Sequence, residues 1–135
     1  MRRFLIFSIP LLILAMALFH FALEALGRAP DPAALSPTGR TLPGWITLAT
    51  WGLEALSLSA LFLLIHSRSG LRLLSGLLAG WIAWVFRGPL LVVTVVGLAG
   101  LPSDPWWGLA FGWWILYTFC GLLLGGAAAA ASLQP

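Results

Sequence analysis

The chain has 135 residues, of which 61% are hydrophobic and only 8% charged, and its mean hydropathy is +1.02. A soluble domain carries about 25% charged residues, so this composition excludes water as the solvent of its surface, and it excludes disorder, which needs few apolar residues and much charge. All 7 basic residues are arginines and the formal charge is +3, but they are scattered rather than run together, which excludes a nucleic-acid surface and leaves them as topology signals.

A helix of about 20 apolar residues crosses a bilayer, so the length accommodates four spans with short connections and no soluble domain. The first apolar run covers about 4–26, interrupted by Ser8, Pro10, His20 and Glu24. Arg2 and Arg3 precede it as in a secretory signal, yet it exceeds the apolar core of a signal peptide. It is expected to be a retained span, bent near Pro10. Residues 28–43 contain Pro30, Pro32, Pro37, Pro43 and Gly39, a pattern that forbids regular helix and predicts a long loop. The second span is predicted over about 45–66, ending at a solvated His66, followed by a tight turn at Ser67 to Gly70. The third is predicted over about 71–98 with a kink at Gly88-Pro89. A second turn at Leu101 to Pro105 leads to the fourth span, about 106–128. The single cysteine, Cys120, lies inside that span and reads as a small buried hydrophobe. The predicted fold is all-α: one integral membrane four-helix bundle filling residues 1–135.

Orientation follows from the arginines near the span ends. Arg2, Arg3, Arg68 and Arg72 fall on one side; Arg28 and Arg40, offset by Asp31 and Asp104, fall on the other. Both termini are therefore expected in the cytoplasm and the 28–43 loop outside, in a bacterial cytoplasmic membrane, the inner membrane. Trp45, Trp106 and Trp107 would then sit at the outer interface, where amphipathic rings are favoured.

Lipid gives helices no hydrophobic reason to associate, so close packing at small residues must supply it. Gly76 and Gly80 form a G-x-x-x-G spacing on the third span; Gly108 with Gly112, and Gly121 with Gly125, form two more on the fourth. At 100° per residue those last two pairs point to nearly opposite sides of their helix. One pair is expected inside the bundle and the other free for a further chain, giving a homo-oligomer or a complex with other membrane subunits. Trp106, Trp107, Trp113 and Trp114 make an aromatic stripe, more readily a lipid-facing or packing surface than a cofactor platform.

Ionisable side chains within spans are costly and mark either function or a structural pair. His20 and Glu24 stand four apart on one face of the first span. Thr47, Thr50, Glu54 and Ser57 form a polar stripe on the second, and Arg87 lies on the third. Rise per residue puts Glu54, Arg87 and His20 at similar depths, and the second and third spans are neighbours through a tight turn. These four ionisable residues are the candidate cluster: either an ion pair fixing helix register, or a site in which Arg87 binds an anionic group while Glu54, Glu24 and His20 handle protons. His20 and Glu24 supply too few ligands for a metal. Bis-histidine haem would need His20 and His66 at one level, whereas the topology puts them at opposite ends. Phosphate-cradling glycine loops, Cys-x-x-Cys and G-x-S-x-G are absent, so no catalytic residue is assigned.

Leu18-Phe19-His20 followed by Leu26-Gly27, and the spacing from Glu54 to Arg68, resemble DoxX-like membrane proteins over about half of the chain. Glu24 stands where that family has a lysine, Ser57 and Ser59 stand where it has glycines, and Arg87-Gly88-Pro89 has no counterpart. The resemblance implies a four-helix membrane subunit, in some members linked to quinone and sulfur redox chemistry, and draws attention to His20, Glu54 and Arg68. The expected function is a non-catalytic subunit or self-assembling unit of a membrane complex. The alternatives are a small-molecule or ion carrier built on Arg87 and Glu54, and a quinone-linked redox subunit. No cofactor is expected otherwise.

Overall fold

A computed structural model describes residues 1–26, 44–100 and 103–131. The loop expected over 28–43, with Arg28, Arg40 and Asp31, lies outside the described residues, as do Gly27, Leu101 and Pro102. The described chain is helical throughout apart from its turns: α1 Arg2–Ala25, α2 Gly44–Ser69, α3 Arg72–Val85, a π-helical turn Phe86–Leu90, α4 Leu91–Ala99 and α5 Ser103–Ala130. The π turn joins α3 and α4 into one rod, so four helical rods, of 24, 26, 27 and 28 residues, are long and apolar enough to cross a membrane. Helix is the form such sequences must take in lipid, because it satisfies every backbone group internally.

The turn after α2 is set by Gly70, whose φ of 68° is left-handed and accessible to glycine without a Cβ penalty. Ser69 and Ser75 clasp across that turn at 2.7 Å, and the Ser75 hydroxyl also bonds the Leu71 carbonyl at 2.7 Å. Gly100, with φ 62°, ends α4 in the same way. Within α1, helix continues through Pro10. At Gly88-Pro89, where the sequence predicts a kink, the helix widens into the π turn. Proline has no N–H to donate and its ring crowds the preceding turn, and a π turn is one way for a helix to absorb that disruption.

Cross-helix contacts fix an up-and-down order. Phe4 stacks on Phe62 at 5.1 Å between centroids, Ser8 bonds Ser59 at 3.2 Å, and His20 meets Trp51 edge-on at 5.7 Å, so α1 and α2 run antiparallel. α3 packs on both α2 and α5, and α1 closes the ring by packing on α2 and α5. The core between them holds Leu12, Met16, Leu58, Phe62, Leu116 and Leu124. The outer surface is apolar: Leu18, Phe21, Leu53, Leu64, Phe111 and Phe119 are all more than half exposed, as lipid-facing side chains are.

The α3–α5 seam is the tightest. A Cβ on Gly76 would run into the Gly121 carbonyl, and one on Gly80 into the Tyr117 carbonyl. A Cβ on Gly125 would come within 3.1 Å of the Leu73 Cα. The Gly121–Gly125 face is thus occupied within the chain and is not the one left over for a second molecule. On the opposite face, Gly108 has nothing within 4 Å among the described residues and Gly112 faces the Phe19 ring at 3.6 Å.

His66 departs from its expected place in solvent. It is 2% exposed, stacked on Phe62 at 5.4 Å and 14°, and neither ring nitrogen has a hydrogen-bond partner among the described residues. The aromatic column Phe4–Phe62–His66 draws the imidazole in as a flat ring, and its polar edge is buried with it.

Candidate functional site

Three helices deliver one polar group each to the middle of the bundle. Glu54 lies ~15 Å along α2 from Gly44, Arg87 ~22 Å along the third rod from Arg72, and Tyr117 ~21 Å along α5 from Ser103. Arg87 Nη1 stands 2.8 Å from Glu54 Oε1, and the Tyr117 hydroxyl donates to Glu54 Oε2 at 3.1 Å. The Arg87 guanidinium also sits 5.2 Å from the centroid of the Trp113 ring, close enough for its charge to be drawn to the ring face.

The Glu54–Arg87 contact is an ion pair without the bidentate fork that a carboxylate and a guanidinium can form. Oε1 is shielded from solvent but receives no aligned hydrogen bond. The Arg87 side chain makes no other ion pair among the described residues and is 41% exposed, against 19% for Glu54. A guanidinium carries five N–H donors, a capacity greater than its contacts with Glu54 and Trp113 use.

That capacity borders a cavity of about 530 Å³ between α2 and the third rod, whose lining includes Glu54, Arg87 and Tyr117. Its apolar walls include Leu53, Leu58, Leu61, Ile82, Phe86 and Leu91. Its volume is within the range of small-molecule pockets, roughly 300–1,000 Å³. Leu53 and Phe86 are 65% and 67% exposed, so the cavity opens sideways on the outer surface of the bundle.

The π turn bears directly on this site because it contains Arg87. Trp84 Nε1 donates to the Ala110 carbonyl at 2.8 Å, tying the approach to the turn onto α5. Gly88 leaves room for that indole: a Cβ there would meet Trp84 Nε1 at 2.8 Å. One turn earlier, Trp81 Nε1 bonds Thr118 Oγ1 at 3.2 Å.

His20 and Glu24 form a separate pair, at 3.2 Å, both about half exposed on the last turns of α1. Their described contacts are with each other and with Phe21 and Trp51, and they do not join the Glu54–Arg87 group. Along the polar stripe on α2, Thr50 bonds the Ile46 and Thr47 carbonyls and Ser57 bonds the Leu53 carbonyl, whereas Glu54 reaches across to other helices. The tryptophan stripe divides as well, with Trp107 and Trp114 on the surface and Trp113 against the core and Arg87. Among the described residues, no three His, Cys, Asp or Glu side chains gather as metal ligands would.

Tyr117 was not among the residues singled out from the sequence. It is the single tyrosine in a chain with 8 phenylalanines and 8 tryptophans. A lone phenol near mid-span, which must find a partner for its hydroxyl, is the signal that points to it.

Comparison with protein-family models, with curated proteins and with solved structures finds no match to this chain. The likeness to DoxX-like proteins therefore rests on the quoted residues alone.

Proposed function

We propose that this chain is a four-span integral membrane protein, a non-catalytic subunit or self-assembling unit of a membrane complex, that holds a lipid-soluble small molecule between α2 and the third rod. Glu54, Arg87 and Tyr117 anchor the polar end of that molecule. The observation that carries the reading is Arg87: a half-exposed guanidinium, met by Glu54 through one nitrogen, at the edge of an apolar cavity. A charge so placed in hydrocarbon is expensive unless oxygen acceptors cover it. We further propose that the termini are cytoplasmic, that the 28–43 loop is external, and that the membrane is a bacterial cytoplasmic one. In the redox alternative the same cavity takes a quinone head, and the electron-transfer centre belongs to a partner chain.

The test is purification in mild detergent followed by mass spectrometry of extracted small molecules, comparing wild type with Ser57→Phe. Ser57 lines the cavity and its hydroxyl bonds its own helix, so a ring there fills the space while both members of the ion pair are kept. A molecule that copurifies with wild type and is lost from the variant supports the reading. The same complement of molecules in both sinks it.

A further inference from the structure

If the cavity between α2 and the third rod is a ligand site, the charges around it also restrict what enters, an inference that rests on the reading above. Glu54 and Arg87 face each other at 2.8 Å, so the polar end of the cavity is electrically balanced before any ligand arrives. An anionic head would leave two negative groups against one positive group in a medium where charge is poorly screened. A cationic head would leave two positive groups against one carboxylate, whose Oε1 is shielded and faces Arg87 and whose Oε2 accepts from Tyr117. What remains available is donors on Arg87, together with apolar walls and a lateral opening past Leu53 and Phe86.

We infer that the occupant is an electrically neutral lipophile with a carbonyl head, the carbonyl oxygen accepting from Arg87 and the apolar tail lying between α2 and the third rod toward the lipid. Glu54 acts here as a selectivity residue: by cancelling Arg87 it turns an anion site into a carbonyl site. This role needs no proton transfer and no change in Glu54 itself. A neutral acceptor completes the hydrogen bonding of the guanidinium without altering the charge of the site.

The experiment uses the full chain in lipid nanodiscs with two photoactivatable probes of equal chain length, a medium-chain methyl ketone and the corresponding carboxylic acid, at alkaline pH where the free acid is ionised. Crosslinked residues are mapped by mass spectrometry. The ketone should label the cavity walls at least about tenfold more efficiently than the acid, a difference of one decade in affinity. Glu54→Gln, which uncovers the arginine charge, should reverse that order. Competition by a short-chain diacylglycerol or by a short-chain benzoquinone assigns the carbonyl to an ester lipid or to a free carbonyl compound, and displacement by neither overturns the inference. Equal or stronger labelling by the acid in wild type also overturns it, while leaving the cavity as a ligand site. Labelling of the cavity by neither probe, with the rest of the chain still labelled from the lipid, removes the site itself. Should Glu54→Gln fail to fold, the wild-type comparison decides alone.

Discussion

A glutamate and an arginine far from either end of their apolar helices are tolerable only together. Removing one partner of a fully buried pair costs roughly 3–5 kcal/mol; with Arg87 41% exposed, a loss of roughly 2–4 kcal/mol is expected for Arg87→Leu or Glu54→Gln. The double variant should recover much of that loss, and a thermal-unfolding double-mutant cycle in detergent measures the coupling. Additive effects would mean that each group is stabilised by something other than its neighbour. Tyr117→Phe removes one hydrogen bond to a charged acceptor and should cost about 1.5–3 kcal/mol. His66 predicts the opposite sign. Its two ring nitrogens are buried without partners among the described residues, each unsatisfied group carrying about 1–3 kcal/mol of desolvation cost. His66→Phe keeps the flat ring against Phe62 and removes that cost, so its melting temperature should match or exceed wild type; a marked fall would reveal a partner for the imidazole.

Among the elements, glycine spacing says where helices can approach but not which helix fills the gap. Gly76 and Gly80 meet the α5 backbone directly, whereas among the described residues Gly108 has open space around it. Gly80→Leu should therefore unfold the bundle or separate its α3–α5 seam, and Gly108→Leu should leave the stability of the single chain unchanged, as melting curves of the two variants will record. The four apolar rods and the separation of Gly121 from Gly108 onto opposite faces were legible from hydropathy and helical period, but the turns were drawn too long: helix runs on through Ser69 and begins again at Ser103. Similar depths for Glu54 and Arg87 followed from rise per residue. What pattern could not supply was azimuth: which way each helix turns about its own axis once packed. That angle puts Tyr117 on Glu54, leaves His20 and Glu24 outside the group, and buries His66. The π turn was hidden for a related reason. Gly88-Pro89 announces a disturbed helix, but the Trp84 indole bonded to Ala110 beside it is a contact made across the bundle, which local sequence does not show. Gly88→Ala should push that indole away and shift Trp84 emission, with a loss of order at Arg87 if the turn presents it.

For the whole molecule, the remaining asymmetry is between the two ends of the bundle. The end formed by the start of α1, the α2–α3 turn and the end of α5 carries Arg2, Arg3, Arg68 and Arg72, and the described acidic residues lie elsewhere, Glu24 and Asp104 at the opposite end and Glu54 between. Positively charged short connections remain on the cytoplasmic side because their transfer is opposed during insertion. The buried Phe4–Phe62–His66 column lies toward the same end, which would make it the inner end and put the exposed His20–Glu24 pair toward the outer one. Cysteine scanning tests this in intact cells, since the native Cys120 is buried and should stay silent to an impermeant thiol reagent. Ser67 is exposed and bonds only the Leu64 carbonyl of its own helix, so Ser67→Cys reports the α2–α3 turn without disturbing the Ser69–Ser75 clasp, and Ser36→Cys reports the long loop. Labelling at position 36 and protection at 67, with 67 becoming reactive once the cells are opened, is the expected outcome. The reverse pattern would invert the bundle, placing the His66 column outside and the mouth of the cavity nearer the cytoplasmic leaflet.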